Sequence, residues 1–335
     1  MRIYCTAENG RKGAGMRLFI LSGVTEYAKN TKLLGLLGAE VLQLRFPTAK
    51  IVHTLKEISY PCVLIRDDYP LVEKARVATA LTYLSQGKPY EKAGIFALYS
   101  SAQAYRVSAY PEGFTQKTYG YYTQRALQER IERLQAQGVK IHHPQSLYME
   151  YGAQVESGAE IYPNNYLLGC TKIGKNAVLY PGNILTDTVV EAFATLTYTV
   201  SEGATVRSGV SVGPFARLRK GAVLGENAKI GNFVEIKNSE IGKGVKIAHH
   251  TYVGDATIGE NTNVGCGVVF ANYNGKEKRK TVVEKDCFLG CNVNLIAPVR
   301  VGENAFIAAG TTVTENVPTC SFVIGRSRQI TKRKE

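Results

Sequence analysis

Residues of the kinds that bind phosphate and accept protons recur between positions 212 and 273 at spacings close to six and twelve. Arg219 and Lys237 stand 18 residues apart, and His249 follows 12 residues after Lys237. Positions at multiples of six lie above one another if the chain coils with six residues on each side. Two stacked cations can bind one phosphate group, and an imidazole, with an unperturbed pKa of about 6.5, suits proton removal near neutral pH. The spacing therefore predicts a phosphate site beside a general base.

Each of these residues, taken alone, is more simply an exposed side chain of a repeat protein. That interpretation is kept for His250, and a solvated loop is the default for residues 276–280. Amide synthesis from a thioester would need, besides a base such as His249, hydrogen-bond donors for the developing oxyanion. The backbone N–H groups of the glycine-rich segment Gly265-Cys266-Gly267 suit that second task.

A six-residue repeat supplies the elements that must position these residues. From about Glu150 onward an aliphatic residue followed by glycine recurs, and the inward aliphatic positions are separated by steps of five or six residues, which fits neither a helix nor an alternating strand. Such a period predicts a left-handed parallel β-helix, in which three six-residue units form one triangular turn and each aliphatic residue points inward. An antiparallel sandwich would need turn signals every ~8–12 residues, and these are absent. The inward positions used are Ile230, Ile236, Ile241, Ile247, Val253, Ile258, Val264 and Phe270.

The repeat is interrupted once, between Phe270 and Val282. The intervening segment has Asn-Gly at its centre and four basic residues, so it cannot form an inward-facing strand and must loop out. Excursions from a rigid scaffold often carry function.

The residues ahead of the solenoid predict a helix and a small α/β domain. A helix is expected over 123–137, with Leu127, Ile131 and Leu134 on one face and Gly138 as its stop. Further towards the N-terminus the pattern indicates a helical stretch around 69–87 and strands at 17–24, 41–46 and 61–66. The expected organisation is a small α/β domain over 1–116, a linker helix over 117–140 and the β-helix over 141–335.

Composition limits the classes of protein to which the chain can belong. The 335 residues carry a formal net charge of +13, which favours anionic partners but fits small phosphate-bearing molecules as well as nucleic acid. No apolar run approaches the ~18–20 residues of a membrane span, and no convincing signal peptide is present, so we expect a cytoplasmic protein. The seven cysteines form no metal-binding pattern and are expected to be free thiols.

The run from Val212 to Gln329 resembles one known family closely. Its motifs VGPFARLR, IGNFVEIKNSEIGKG, TYVGDA, ANYNGK, LIAPV, AAGTTVT and IGR are similar to those of the acetyltransferase domain of the bacterial bifunctional enzymes N-acetylglucosamine-1-phosphate uridyltransferase/glucosamine-1-phosphate acetyltransferase, the GlmU family. The similarity extends back to about Val107. It is far more specific than the hexapeptide pattern, which many acyltransferases share.

The resemblance implies a role for individual positions. His249 matches the family's catalytic base, and acetyl transfer requires no metal. Cys266 and Cys291 stand where the family usually has alanine and serine; both are small, and Cys266 is expected to act through its backbone. The implied sugar-phosphate contacts are Arg219, Lys237, Tyr252 and Asn263, with Lys278 in a basic loop that reaches a neighbouring site, and the implied acetyl-CoA contacts are Cys266, Asn272, Tyr273, Cys291, Ala309 and Arg326.

The N-terminal half departs from the family. The glycine-rich segment 9–15 lacks the phosphate-binding pattern of the family's uridyltransferase domain, and the space available is about half of that domain. Asp68 falls at the metal-binding position, but Tyr122 stands where the second ligand, an asparagine, should be. The sequence therefore predicts a truncated and degenerate remnant without uridyltransferase activity.

The leading hypothesis is acetyl-CoA-dependent N-acetylation of glucosamine 1-phosphate for the cell-envelope precursor UDP-N-acetylglucosamine, by a homotrimer with sites between subunits and with no nucleic-acid or membrane partner. A second hypothesis changes the acceptor to another amino-sugar phosphate or nucleotide sugar. A third is a non-catalytic hexapeptide-repeat scaffold.

Overall fold

A computed structural model describes residues 17–22, 30, 32–34, 36–60, 62–98, 107, 113–326 and 328–333. The segment 9–15 lies outside the described residues. The chain divides into two compact units, Met1–Ala126 and Leu127–Glu335. No helix of the described part is both long and apolar enough to cross a bilayer.

The N-terminal unit contains a five-stranded mixed sheet with the order β2-β1-β3-β5-β4. Strand β1 runs parallel to β2 and β3, whereas β5 is antiparallel to β3 and β4. This arrangement confirms a small α/β unit. Its elements are β1 (Arg17–Leu21), α1 (Gly38–Arg45), β2 (Lys50–Val52), β3 (Cys62–Arg66), α2 (Lys74–Ser85), β4 (Tyr90–Lys92) and β5 (Ile95–Leu98).

The strand predicted at 41–46 is wrong, because these residues belong to α1 and its C-terminal end. Val41, Leu42 and Phe46 are buried while Leu44 is 59% exposed, which is the pattern of a helical face and not of an alternating strand. The backbone N–H of Leu37 donates to the carboxylate of Glu40 at 2.7 Å and fixes the start of the helix. An eight-residue element is too short for its period to separate helix from strand.

Helix α3 (Tyr119–Ala136) occupies the position of the predicted linker helix, and Gly138 follows it with a φ of 88°. The boundary between the two units falls within this helix. Ile131 and Leu134 on its second half belong to the same apolar cluster as the interior of the solenoid. Arg130 donates to the backbone carbonyl oxygen of Ala153 at 2.9 Å. These contacts attach the end of α3 to the first turn of the C-terminal unit.

The C-terminal unit is a parallel β-helix whose strands form three walls, as the hexapeptide period predicts. The first wall contains β6 (Lys140–Ile141), β9 (Glu160–Ile161), β12 (Val178–Leu179), β15 (Thr195–Leu196), β18 (Ser211–Val212), β21 (Lys229–Asn232), β24 (Lys246–His249), β27 (Asn263–Val264), β30 (Phe288–Leu289), β33 (Phe306–Ile307) and β35 (Phe322–Val323). The second wall contains β7 (Tyr148–Met149), β10 (Tyr166–Leu168), β13 (Ile184–Thr186), β16 (Val200–Glu202), β19 (Arg217–Leu218), β22 (Glu235–Lys237), β25 (Tyr252–Gly254), β28 (Val269–Ala271), β31 (Asn294–Ile296) and β34 (Thr312–Val313). The third wall contains β8 (Gln154–Val155), β11 (Lys172–Ile173), β14 (Val189–Val190), β17 (Thr205–Val206), β20 (Val223–Leu224), β23 (Glu240–Ile241), β26 (Ala256–Ile258), β29 (Thr281–Val283) and β32 (Arg300–Val301).

Aliphatic residues in register fill the interior of the three walls. Ile230, Ile247 and Val264 pair in successive turns of the first wall, and all three are buried. One continuous apolar cluster runs from Ile131 to Val317. Each turn therefore buries its side chains only by stacking on its neighbours, so the walls behave as one rigid scaffold.

The corners between the first and second walls are not reserved for small residues. Phe215, Phe233 and His250 occupy them with φ values of 61°, 56° and 49°, a region that costs a residue with a side chain about 1–2 kcal/mol. Their rings stack, with centroids 5.5 Å apart for Phe215–Phe233 and 5.0 Å apart for Phe233–His250. This stacking offsets part of the backbone cost.

Candidate functional site

The second wall brings the two cations singled out by their spacing into adjacent turns. Leu218 pairs with Ile236, and the backbone N–H of Arg219 donates to the carbonyl of Ile236 at 2.8 Å. Arg219 and Lys237 therefore follow in-register residues and leave the wall at the same edge. Both side chains face outward because the residues before them, Leu218 and Ile236, are buried.

Two carboxylates accompany these cations. Arg219 Nη1 lies 2.9 Å from Glu235 Oε1, and Lys237 Nζ lies 3.7 Å from Asp255 Oδ2. Burial works to raise the pKa of Asp255, but the hydrogen bonds that it accepts from Asn238 and Asn272, together with the charge of Lys237, outweigh burial and lower the pKa below its ordinary value. Asp255 is thus held as an anion that fixes the orientation of Lys237 and of the Asn272 amide.

The loop that interrupts the repeat adds a third cation to this edge. Its backbone folds back on itself between Tyr273 and Lys278, and the N–H of Arg279 donates to the carbonyl of Asn272 at 2.8 Å. Lys278 is close enough to Lys237 for that neighbour to lower its pKa, through a side-chain contact and like-charge repulsion. Two ammonium groups that repel each other next to an arginine form a site that gains from binding an anion.

Tyr252 lies across the outer face of the second wall. An added Cβ on Gly254 would stand 2.3 Å from the Tyr252 hydroxyl oxygen and 2.9 Å from Asn272 Nδ2. The tyrosine ring therefore runs along its own strand and places its hydroxyl group over the backbone of Gly254, beside the Asn272 amide. Glycine is required here by space, because any larger side chain would displace the hydroxyl group.

His249 lies at the other edge of the second wall, at the corner where the first wall ends. It pairs with Asn232 in the preceding turn, and its carbonyl accepts from Gly267 N–H at 3.4 Å in the next turn. The imidazole is exposed. Among residues 113–326 it has no hydrogen-bonding or ionic partner, so the ring is free to contact a substrate.

Positions equivalent to His249 in the following turns form a column along this corner. The backbone carbonyl of Cys266 accepts from Asn292 N–H at 2.7 Å, and that of Cys291 accepts from Gly310 N–H at 2.8 Å. Arg326 Nη1 donates to the carbonyl of Ala309 at 2.8 Å. We call this set the corner column; it contains His249, Cys266, Cys291 and Ala309.

The corner column presents backbone donors that the protein does not use. Within the described residues, the N–H groups of Cys266, Cys291 and Ala309 have no acceptor. At other corners an acidic side chain takes the equivalent group; Glu156, for example, accepts from Lys175 N–H at 2.9 Å. Free N–H groups in line with an imidazole are suited to an oxyanion or to the amide oxygens of a ligand.

The structure thus divides the residues singled out from the sequence into two groups on one chain. Arg219, Lys237, Asn272 and Lys278 lie at one edge of the second wall, and the corner column lies at the other. Tyr252 lies on the wall between them. The remaining residues are Tyr273, which is 59% exposed in the loop, and Asn263, half-buried on the first wall between Lys246 and Phe288.

Asp255 was missed by the sequence reasoning, although a signal for it was present. It follows Lys237 by 18 residues, the same spacing that links Arg219 to Lys237, and so it stands one turn further along the same edge. The search for candidate residues looked for cations to hold phosphate and did not ask what would hold the cations.

In the N-terminal unit, Asp68 belongs to a buried ion pair. Arg66 donates to both carboxylate oxygens at 2.9 and 2.7 Å, and Gly113 N–H donates to the same group at 3.0 Å. Asp68 and Arg66 are 0% and 2% exposed. Burial, with Tyr69 and Asp68 nearby, raises the pKa of Tyr122 to about 12. No group of three or more potential metal ligands occurs among the residues that the structure describes.

Residues 203–238 and 280–315 match the bacterial transferase hexapeptide (six repeats) family. The chain is 47% identical over 60% of its length to the bifunctional protein GlmU of an Exiguobacterium species, and that match covers 45% of the relative. The corresponding protein of Thermotoga maritima is 40% identical over 65% of this chain and 49% of its own length. The chain therefore spans less than half the length of these curated relatives.

Among solved structures, a UDP-N-acetylglucosamine acyltransferase from Campylobacter jejuni superposes with a TM-score of 0.37 and 21% identity over 56% of this chain and 71% of that one. The polySia-specific acetyltransferase NeuO superposes with a TM-score of 0.24 over 58% of this chain and 86% of that one, at 18% identity. The hexapeptide repeat and the extended identity support one statement: the C-terminal part of this chain is a hexapeptide-repeat region similar to that of bifunctional GlmU proteins.

Proposed function

We propose that the solenoid is a cytoplasmic acetyl-CoA-dependent N-acetyltransferase that converts glucosamine 1-phosphate to N-acetylglucosamine 1-phosphate, a precursor of UDP-N-acetylglucosamine. The observation that carries the proposal is the group of three cations at one edge of the second wall, with an exposed imidazole and unused backbone donors at the other. The similarity to GlmU proteins over three-fifths of the chain supports this choice of reaction.

The sugar phosphate is held by charge. Arg219, Lys237 and Lys278 bind the phosphate oxygens, while the hydroxyl of Tyr252 and the Asn272 amide supply neutral hydrogen bonds to the sugar. Glu235 and Asp255 keep the cations in place before the substrate arrives. The repulsion that lowers the pKa of Lys278 in the free protein is relieved when the phosphate binds.

The acyl transfer proceeds by direct attack. The sugar amine attacks the thioester carbonyl, His249 accepts the proton that the nitrogen loses, and the unpaired N–H of Cys266 donates to the developing oxyanion. Collapse of the tetrahedral intermediate forms the amide and expels the coenzyme A thiolate, which takes up a proton. The other acetyl-CoA contacts are Cys291, Ala309 and Arg326 in the corner column, and Asn272 and Tyr273 from the loop. No metal is needed because the thioester is already an activated acyl donor.

The two edges of the wall favour a homotrimer with sites between subunits. Closing the site between copies would let His249 of one copy serve the cations of another. Co-expression of His249→Asn and Lys237→Met chains tests this arrangement. Each variant alone is inactive, whereas mixed trimers regain activity at roughly a quarter of their interfaces; no recovery in a mixed trimer would place the whole site on one chain.

The N-terminal unit is inferred not to transfer uridylyl groups. Asp68, the candidate metal ligand, is already engaged by Arg66 and by Gly113 N–H. Freeing it to bind Mg²⁺ would leave Arg66 buried without its partner, which costs about 3–5 kcal/mol.

An acceptor panel tests the reaction directly. Purified chain is mixed with acetyl-CoA and one acceptor at a time, and the release of free thiol is followed. Release with glucosamine 1-phosphate is the expected result. Release only with another amino sugar phosphate or nucleotide sugar would transfer the chemistry to a different acceptor, and no release with any acceptor would leave a non-catalytic scaffold.

A further inference from the structure

The corner column contains two free thiols in consecutive turns. Val264 pairs with Leu289 in the first wall, and Cys266 and Cys291 each follow two residues later. The backbone confirms the alignment, because an added Cβ on Gly265 would stand 2.7 Å from Cys291 N, and Asn292 N–H donates to the Cys266 carbonyl at 2.7 Å. Neither thiol is deeply buried, since Cys266 is half-buried and Cys291 exposed.

This alignment satisfies the distance requirement for a disulfide. Neighbouring parallel strands lie ~4.8 Å apart, and the Cα atoms of disulfide-bonded cysteines lie ~4.4–6.8 Å apart. The two thiols therefore need side-chain rotation and little backbone movement to react with each other. Cys62 and Cys287 are buried, and Cys170 and Cys320 lie in other turns, so the described part of the chain contains no second pair placed in this way.

We propose that Cys266 and Cys291 form a reversible disulfide that controls access to the corner column. The oxidant is a low-molecular-weight disulfide such as glutathione disulfide. The Cys291 thiolate attacks one sulfur of the oxidant, forming a mixed disulfide and releasing one glutathione; the Cys266 thiolate then attacks the Cys291 sulfur, forming the protein disulfide and releasing a second glutathione. Two electrons pass to the oxidant, and the two thiol protons end on the released glutathiones.

The bond changes the corner that the proposed reaction uses, so its effect on activity rests on the proposed function. A disulfide ties together the two turns whose N–H groups are unpaired, and it places two sulfur atoms in front of them. Oxidised protein should bind acetyl-CoA poorly and lose activity by about tenfold or more, whereas a dithiol reductant should restore it. In a reducing compartment such a bond is a transient signal and not a permanent cross-link.

Mass spectrometry tests the bond without any assay of activity. A full-length background variant with Cys5, Cys170 and Cys320 replaced by serine removes the other reactive thiols. After treatment with glutathione disulfide and alkylation of the remaining thiols, we expect one linked peptide containing Cys266 and Cys291, and we expect it to disappear with dithiothreitol. Separate glutathione adducts on the two cysteines, or unmodified thiols, would overturn the proposal.

Activity tests the consequence, with each protein normalised to its own reduced form. The background variant should lose activity on oxidation and recover on reduction, and Cys291→Ser in that background should form no linked peptide. A linked protein that is as active as the reduced protein would refute the control. If the reduced protein has no acetyltransferase activity, the proposed function fails, and the linked peptide alone decides whether the disulfide forms.

Discussion

Substitution of Lys237 by methionine probes the phosphate site most informatively. The side chain is 21% exposed, and its ammonium group lies 3.7 Å from Asp255. A hydrogen bond to a charged group contributes about 1.5–3 kcal/mol, and each ~1.4 kcal/mol corresponds to a factor of ten. Removing Lys237 also relieves the repulsion that acts on Lys278, which offsets part of the loss. We therefore expect the KM for glucosamine 1-phosphate to rise by roughly 10–30-fold.

Steady-state kinetics with both substrates varied checks this expectation. The KM for acetyl-CoA should stay within about twofold, because Lys237 lies at the opposite edge of the wall from the corner column. Lys243→Met is the matched control, since Lys243 pairs with Glu226 at 3.8 Å and both side chains are more than half exposed. It should change neither KM. An unchanged KM for the sugar phosphate in Lys237→Met, or a raised KM for acetyl-CoA alone, would refute the assignment of this edge to phosphate.

Three further predictions follow from the same geometry. Because Lys237 lowers the pKa of Lys278, kcat/KM for the sugar phosphate should fall as pH rises through that lowered pKa, and the alkaline limb should move to higher pH in Lys237→Met; an unmoved limb would show that Lys278 does not act in binding. Gly254→Ala, whose Cβ would stand 2.3 Å from the movable Tyr252 hydroxyl, should raise the KM for the sugar phosphate by about tenfold with little change in melting temperature. Asp68→Asn should destabilise the N-terminal unit by about 3–5 kcal/mol in calorimetry; an unchanged unfolding profile would remove the structural role of its ion pair.

The period of the sequence was sufficient to predict the solenoid and the relative position of Arg219 and Lys237. Every inward residue of a β-helix repeats the same environment, so a single spacing determines the register of each wall. The same spacing, applied to acidic residues, would have found Asp255. It could not predict that Tyr252 lies along its strand, because that orientation depends on the space that Gly254 leaves open.

The separation of His249 from the cations could not be predicted from spacing either. Twelve residues after Lys237 suggested the same face, but the count passes through a five-residue step, and the histidine falls at the opposite edge of the second wall. In the N-terminal unit the element at 41–46 was mistaken for a strand because local alternation outweighed a helical face only two turns long. Tertiary contacts decide such short elements.

The turnover rate of His249→Asn tests the central claim most directly. A positioned general base contributes about 10²–10⁴ in rate, so kcat for acetyl transfer to glucosamine 1-phosphate should fall by that factor with the KM for either substrate little changed. His250→Asn is the control, because that ring stacks on Phe233 at the same corner and should retain nearly full kcat. Undiminished turnover in His249→Asn would contradict the account.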